Sequence, residues 1–414
     1  MGVLSPLPRR TAWLLTLVAT STRAVSYVDR QAVAALAPTI TAELHIEEAA
    51  FGWLGSAFSV AYLVGAPLAG RMIDRVGARR GLPASVLVWS AVAACHALVP
   101  GIGMLFVLRI LLGLSEAPSF PGAAQTVTRA LPPDRRALGF GILFTGSSIG
   151  AALSAVIAPT LAAEWGWRGA LVGTAVIGLL WIPLWLAVTG SPAARAALDD
   201  RGEAPSIIDG GGWRALLARP AVWRSIAATV AAAPIVGFIL QYGAKILVTQ
   251  HQVTQTDVRS YLWLPPLAFD AGAVLFGLLG SASARRNGDG PARGLFSAAA
   301  LLGLAIGLMS VSATPWQTMI AASISLAGAG GIYALATADM LSRVPAGQVA
   351  SAGGITASAQ SMALIATFPL VGYAVQGSGS YHGVSLALAA WLVPGALFWL
   401  LMPPQRSAQS ASSG

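Results

Sequence analysis

Apolar residues fall along this chain in long uninterrupted blocks, among them 81 to 108, 168 to 189, 294 to 312 and 383 to 402. Several of these are long enough, at 1.5 Å per helical residue, to cross about 30 Å of hydrocarbon. They are therefore read as membrane-spanning helices and not as the core helices of a soluble domain. Cutting the chain at charge clusters and turn residues predicts spans near 11 to 36, 50 to 73, 82 to 100, 102 to 128, 138 to 162 and 168 to 189. A second set follows near 221 to 249, 259 to 282, 293 to 312, 316 to 341, 349 to 374 and 382 to 402.

The expected fold class is thus an all-α membrane protein with twelve transmembrane helices in two six-helix bundles, residues 1–189 and 221–402. Between them, 190–220 is the longest polar stretch, carrying Asp199, Asp200, Arg201, Glu203, Asp209 and a run of Gly210, Gly211 and Gly212. It reads as a flexible cytoplasmic linker. The tail 403–414 is rich in Ser, Ala and Gln and reads as disordered. Two glycine-rich runs, Gly146 to Gly150 and Gly353 with Gly354, permit close helix approach, within the monomer in preference to between chains.

The loops set the sidedness. Those after even-numbered spans hold Arg71, Arg75, Arg79 and Arg80, then Arg129, Arg135 and Arg136, then Arg285, Arg286 and Arg293. Those after odd-numbered spans are poor in arginine and include Glu43, Glu47, Glu48, Glu164 and Asp257. By the positive-inside rule both termini are cytoplasmic.

Composition agrees with that picture. Of 414 residues, 56% are hydrophobic and 10% are charged, against roughly 25% charged in soluble domains. An ordinary cytosolic enzyme is excluded. A net charge of +9 does not imply nucleic acid, because the arginines cluster between apolar blocks and do not line one face with interleaved aromatics. Cys95, the single cysteine, permits no disulfide, metal-thiolate set or redox pair and reads as a packing residue. Arg9 and Arg10 precede an apolar run that continues through Tyr27, Val28, Asp29 and Arg30 without a cleavage site, so a retained first span is expected.

Ionisable groups inside spans carry the chemistry, since each costs roughly 2.5 to 3.5 kcal/mol to insert near mid-bilayer. Those singled out are Asp29 and Arg30 in the first span, Arg109 and Glu116 in the fourth, Lys245 in the seventh and Asp270 in the eighth. Arg109 and Glu116, seven apart, share a face but lie about 10 Å apart along the axis. Something between them must complete the electrostatics: a neighbouring helix, a substrate or water. Pro118 and Pro121 follow at once and free backbone groups that protein or water must satisfy. Tyr27 and Arg30 fall on one stripe, with Asp29 turned about 100° from Arg30. Tyr62, in a weakly polar run of the second span, needs a partner for its hydroxyl if buried.

Lys245 is the only lysine among 25 basic residues. It is either a substrate-facing point charge or a side chain snorkelling to the extracellular interface; Gln241 and Tyr242 lie one turn inward. His45, His96, His251 and His382 show no ligand spacing and read as solvated loop or helix-end residues. No His, Cys or Ser cluster has nucleophile or metal spacing, so neither enzyme activity, a metal nor a cofactor is expected.

The loop after the second span, Gly70-Arg71-Met72-Ile73-Asp74-Arg75-Val76-Gly77-Ala78-Arg79-Arg80, resembles the G-x-x-x-D-R-x-G-x-R-R signature of the major facilitator superfamily. Gly277 to Arg286 is a degraded copy without the acidic residue. Tyr27 to Arg30, Arg109 to Phe120 (RILLGLSEAPSF) and Gly166-Trp167-Arg168 resemble the anion:cation symporter family. Its bacterial members carry hexuronates, galactonate and related sugar acids, and it is related to sialin and the vesicular glutamate transporters. The match is dense over residues 20 to 170 and looser beyond. There, Leu264-Pro265-Pro266 and Asp270-Ala271-Gly272 are similar to hexuronate-type members.

The resemblance implies a multi-pass protein of the bacterial cytoplasmic (inner) membrane, transporting a small organic anion with protons. Asp29 and Glu116 are then the titrating acids, with Arg109 modulating Glu116; Arg30, Tyr27 and Tyr62 contact the anion. Gly70, Asp74, Arg75, Gly77, Arg79 and Arg80 take the conformational-gate role of the signature loop. The asparagine expected in the eleventh span is replaced by polar neighbours including Gln360. Gln241, Lys245 and Gln360 complete the candidate substrate-binding set.

Physically, a guanidinium in a low-dielectric site selects carboxylates, and a nearby acid couples that occupancy to protonation. The rivals are an anion exchanger or facilitator of the same fold without proton coupling, and a transporter-like sensor. The expected partners are the anion, protons and the lipid bilayer, with no nucleic acid, and the chain is expected to act as a monomer.

Overall fold

The computed structural model describes residues 7–199, 213–287, 293–344 and 348–403. Most of the expected linker's charged and glycine residues (200–212) and nearly all of the expected tail (404–414) lie outside the described residues.

The described chain is built from helices. They are α1 (Arg9–Ala35), α2 (Ala37–Glu43), α3 (Glu48–Val76), α4 (Ala78–Cys95), α5 (Ile102–Glu116), α6 (Ser119–Ala130), α7 (Pro133–Thr189) and α8 (Pro192–Asp199). After these come α9 (Trp213–Leu217), α10 (Pro220–His251), α11 (Leu264–Asn287), α12 (Arg293–Gly303), α13 (Pro315–Leu341), α14 (Val349–Ser378) and α15 (His382–Leu401). Ten helical stretches among the described residues are long and apolar enough to cross a membrane. α1 is not among them: Arg9, Arg10, Arg23, Asp29 and Arg30 dilute its apolar character. One of the ten, Leu138–Thr189, spans 52 residues and breaks at Gly166, whose φ of 67° and ψ of 171° only glycine adopts without strain.

The chain divides into two compact units. The first comprises Met1–Ile46, Ala57–Ala204 and Thr254–Trp263; the second comprises Glu47–Ser56, Pro205–Val253 and Leu264–Gly414. Chain order and packing therefore differ at two short stretches. The start of α3 packs in the second unit, and the segment after α10 packs in the first, where Gln255 donates to the Ala35 carbonyl at 2.8 Å and Arg259 to Thr160 Oγ1 at 3.2 Å.

Within the first unit, α1 lies along α7 and α6, and α4 packs on α5, α6 and α7. The α1–α7 approach needs glycine. A Cβ at Gly150 would lie 2.2 Å from the Ala24 carbonyl oxygen, and one at Gly146 2.6 Å from that of Thr20. Gly353 and Gly354 differ from expectation, since a Cβ at either meets no described atom within 4 Å. Stacked Trp181 and Trp185, 5.1 Å between centroids, fill the core on the α4 side, where Trp185 Nε1 donates to the Arg79 carbonyl at 2.9 Å.

In the second unit, α10 packs on α13, α14 and α15, and α13 also on α11 and α12. Its core includes Phe296 stacked on Trp399 at 3.8 Å. Thr314 and Gln317 form a reciprocal capping box that starts α13. Large apolar side chains such as Leu180, Leu278, Leu301 and Leu370 are each about two-thirds exposed, an outward apolar surface of a kind soluble monomers avoid.

Candidate functional site

The first unit gathers its polar side chains on one stripe of α1. Arg23, Tyr27 and Arg30 recur at four- and three-residue spacing and so share a face. The Arg30 guanidinium carbon lies 4.5 Å from the Tyr27 ring centroid, 4.4 Å from that of Phe58 and 4.9 Å from that of Tyr62. Three ring faces thus cradle a cation whose side chain keeps 15% exposure.

Glu116 closes this cluster from the last turn of α5. Its side chain is fully buried, and its Oε2 accepts from Arg30 Nη2 at 2.9 Å, Arg30 Nε at 3.1 Å and Ser26 Oγ at 2.8 Å. The helix ends there because Pro118 cannot continue the hydrogen-bond ladder. Of the completions the sequence left open between Arg109 and Glu116, the structure contains the neighbouring helix: α1 supplies Arg30. Arg109, buried, donates from Nη1 to the Arg30 carbonyl at 3.4 Å. It therefore bears on the backbone of the residue that pairs with Glu116.

Asp29 points away from this cluster, as its rotation from Arg30 predicts. It is 3% exposed, and a Cβ at Gly178 of α7 would sit 3.5 Å from its Oδ2. Thr174 and Trp89 face its carboxylate, outside ordinary hydrogen-bond geometry.

Arg23 was missed in the sequence reading, although its seven-residue spacing from Arg30 was the available signal. It is 8% exposed and donates from Nη1 to Ser119 Oγ at 2.8 Å and Tyr62 Oη at 3.5 Å, and from Nη2 to Ser147 Oγ at 3.1 Å. Its guanidinium also lies 5.3 Å from the Tyr27 ring centroid. Tyr62 thereby obtains the hydroxyl partner it was expected to need.

The signature loop joins α3 to α4. Gly77 takes φ 83°, a left-handed turn, and the following Ala78 N–H donates to Gln125 Oε1 at 2.8 Å. Gln125 Nε2 in turn reaches Asp74 Oδ1 at 3.5 Å. Arg79 forms a two-pronged pair with Asp199 at the end of α8, with Nε and Nη2 at 2.8 Å from its oxygens. Asp199 is thereby held below the usual carboxylate range. Gly70 is half-buried, and Arg75 and Arg80 are exposed. At the end of α2, Glu43 accepts from Trp167 Nε1 at 2.6 Å and pairs with Arg168. Those bonds lower the Glu43 pKa as well.

In the second unit Lys245 is buried. Its side chain is 4% exposed, with Nζ 2.6 Å from Glu48 Oε1 and 5.0 Å from the Phe51 ring centroid. Glu48 also accepts from Tyr381 Oη at 3.1 Å. A pattern-based reading placed Glu48 in an acidic loop and so missed the pairing. Gln241 is half-buried, and its Nε2 would lie 3.1 Å from a Cβ at Gly55. Gln360 is half-buried on α14, and Tyr242 donates to the Phe368 carbonyl at 2.5 Å.

A second buried charge cluster was also missed. Asp339 of α13 pairs with Arg343 at 2.9 Å and Arg224 at 3.4 Å, and Arg224 lies 4.3 Å from the Trp399 ring centroid. His96, expected to be solvated, is 1% exposed, with Nδ1 2.8 Å from the Val92 carbonyl. Among the described residues no group of three or more His, Cys, Asp and Glu side chains could hold a metal.

Residues 19–367 match the model of the Major Facilitator Superfamily. The chain belongs to that family. A Major Facilitator protein of this kind is a transporter and not an enzyme, and it is a multi-pass membrane protein.

The likeness to relatives is distant but extends over nearly the whole chain. The probable galactarate/D-glucarate transporter of Bacillus subtilis (strain 168) is 23% identical over 94% of this chain and 91% of its own length. The D-galactonate transporter of Escherichia coli O6:H1 is 26% identical over 95% and 96%. The Bacillus subtilis (strain 168) hexuronate transporter reaches 33% identity, but over 39% of this chain and only 38% of its own length. Among solved structures, a bacterial homologue of the human lysosomal transporter Spinster superposes with a TM-score of 0.77. It covers 95% of this chain and 97% of the other at 19% identity, which shows the shared fold. In this Major Facilitator chain, the Arg30–Glu116 pair on its aromatic platform is chemically suited to exchanging a fixed carboxylate for a mobile one.

Proposed function

We propose that this protein is a secondary active transporter of a small organic anion of the sugar-acid class, coupled to protons by symport and working by alternating access. The observation that carries the reading is the Arg30 guanidinium, stacked on Tyr27, Phe58 and Tyr62 and neutralised by the fully buried Glu116. A substrate carboxylate can take over Arg30 only if Glu116 gives it up, and protonating Glu116 is the chemical event that releases it. The relatives' names, transporters of galactarate, glucarate, galactonate and hexuronates, support the substrate class.

In this reading Asp29 and Glu116 exchange the protons and Arg109 positions Arg30. Arg30, Tyr27 and Tyr62 bind the anion, with Gln241, Lys245 and Gln360 contributed by the second half. The Gly70 to Arg80 loop, through Asp74, Arg75, Gly77 and Arg79, gates the conformational change. Counting α1 as one span and Leu138–Thr189 as two makes twelve spans, six in 1–189 and six in 221–402, with both termini cytoplasmic. The protein sits as a monomer in a bacterial inner membrane and works by alternating access.

Reconstituted vesicles test this directly. Uptake of galactonate or galacturonate is expected to rise with an imposed pH gradient, and Glu116→Gln is expected to remove that dependence. Uptake indifferent to both the gradient and the substitution would leave an exchanger or facilitator in place of the symporter. Ligand binding without uptake would indicate a sensor.

A further inference from the structure

Buried cations in this protein are generally matched by acids. Arg30 has Glu116, Lys245 has Glu48, and Arg224 and Arg343 share Asp339. Arg23 is different. Its hydrogen-bond partners are the hydroxyls of Ser119, Ser147 and Tyr62, all neutral, and it forms no ion pair among the described residues. Among the described residues Arg109 also forms no ion pair, but it is turned to a backbone carbonyl and no aromatic ring there lies under its guanidinium.

A buried guanidinium whose direct partners are neutral hydroxyls has lost most of its hydration with no carboxylate in contact, Glu116 acting on it only from beyond ion-pair distance, which leaves a standing attraction for an anion. Its location gives the attraction meaning. Seven residues of helix separate Arg23 from Arg30, about 10 Å of rise on one face. The side chains then converge, because both guanidinium groups lie against the same Tyr27 ring, at 5.3 and 4.5 Å from its centroid. Tyr62 is shared as well, its hydroxyl meeting Arg23 and its ring meeting Arg30. The two cations are thus neighbours across a pair of tyrosines, close enough for one small molecule to meet both.

The geometry points to Arg23 as a second anion anchor that makes the site selective for a sugar diacid carrying a carboxylate at each end, over a sugar monoacid. This deepens the organic-anion reading above and rests on it. One carboxylate displaces Glu116 on Arg30; the other is received by Arg23, whose hydroxyl partners rearrange without leaving a charge unpaired. Of the two arginines a monoacid engages only Arg30 and leaves Arg23 on its hydroxyls.

The test is a thermal-shift or calorimetric titration of the purified full-length protein with galactarate as the diacid and with galactonate and galacturonate as monoacids. It is run on the wild type, Arg23→Gln and Arg23→Lys. The wild type is expected to bind galactarate about 10- to 100-fold more tightly than either monoacid, the worth of one added charge-assisted contact. Arg23→Gln is expected to erase that advantage while monoacid affinity stays within about twofold, and Arg23→Lys to keep part of it. Monoacid binding with no diacid preference in the wild type would overturn the inference while leaving the organic-anion reading intact, and this comparison needs no variant. Equal loss of all three ligands in Arg23→Gln would assign Arg23 a structural role and also overturn it. Failure of the wild type to bind any of the three would overturn both readings together.

Discussion

Glu116 Oε2 receives both prongs of the Arg30 guanidinium, at 2.9 and 3.1 Å, so an acid at the end of α5 and a base near the C-terminal end of α1 share one buried charge balance. Neither residue has another carboxylate or cation at ion-pair distance among the described residues.

Their interdependence is measurable as coupling. Arg30→Ala strands a fully buried carboxylate with Ser26 as its one remaining donor and is expected to cost roughly 3 to 5 kcal/mol. Arg30→Ala combined with Glu116→Gln is expected to recover most of that loss. Melting temperatures in detergent for the two single variants and the double variant check it; strictly additive losses would show that the pair is not a unit.

Lys245 and Glu48 form the corresponding pair in the second unit, at 2.6 Å. If Lys245 serves the substrate, Glu48 competes with that substrate. Glu48→Gln is then expected to tighten sugar-acid binding by about 1 kcal/mol, roughly fivefold, and Lys245→Gln to weaken it by a similar factor. Unchanged affinity in both variants would confine the lysine to holding the start of α3.

Asp339 balances Arg224 and Arg343, each of whose side chains is at most 2% exposed. Asp339→Asn removes the negative charge that two buried guanidinium groups share. A loss of about 3 to 5 kcal/mol is expected, against less than about 1 kcal/mol for the exposed pair partner in Asp199→Asn. Comparable melting shifts for the two variants would contradict this ordering.

Gly150 meets backbone, which cannot yield. Gly150→Val is expected to destabilise by about 1 to 3 kcal/mol or to push α1 off α7. Gly353→Ala, with no described atom within 4 Å of its Cβ, is expected to leave stability unchanged or raise it by up to about 1 kcal/mol through helix propensity. Melting temperatures of the two variants, measured side by side, decide it.

The pH dependence of the signature loop follows from Arg79. Its bonds depress the Asp199 pKa in the folded protein, so the stability they add is present above the unfolded carboxylate value of about 3.9 and fades as pH falls through the lower folded value. At 42% exposure of Asp199 the contribution is about 0 to 1 kcal/mol. The melting difference between wild type and Asp199→Asn is expected to hold from pH 7 to pH 5 and to close below pH 3. A difference that persists at low pH would sink the assignment.

Much of the molecule could be read along the chain. Apolar blocks of bilayer length determine that the protein is a set of membrane helices, since backbone groups in hydrocarbon must bond within their own segment. The spacing of Tyr27 and Arg30, the opposite turn of Asp29 and the signature at Gly70 to Arg80 are all local, and each is a matter of helix periodicity or short-range motif. Partner choice was not legible. That Glu116 answers to Arg30 and not to Arg109, that Arg23 ends among hydroxyls, that Glu48 covers Lys245 and that Asp339 joins two arginines depend on which helix faces are brought together. Sequence separations of 86 residues for Arg30 and Glu116 and 96 for Arg23 and Ser119 carry no periodic trace. Local pattern states where a charge lies on its own helix, whereas the identity of its counter-charge is set by tertiary packing, because a desolvated ion is tolerated only where another element arrives to pair it.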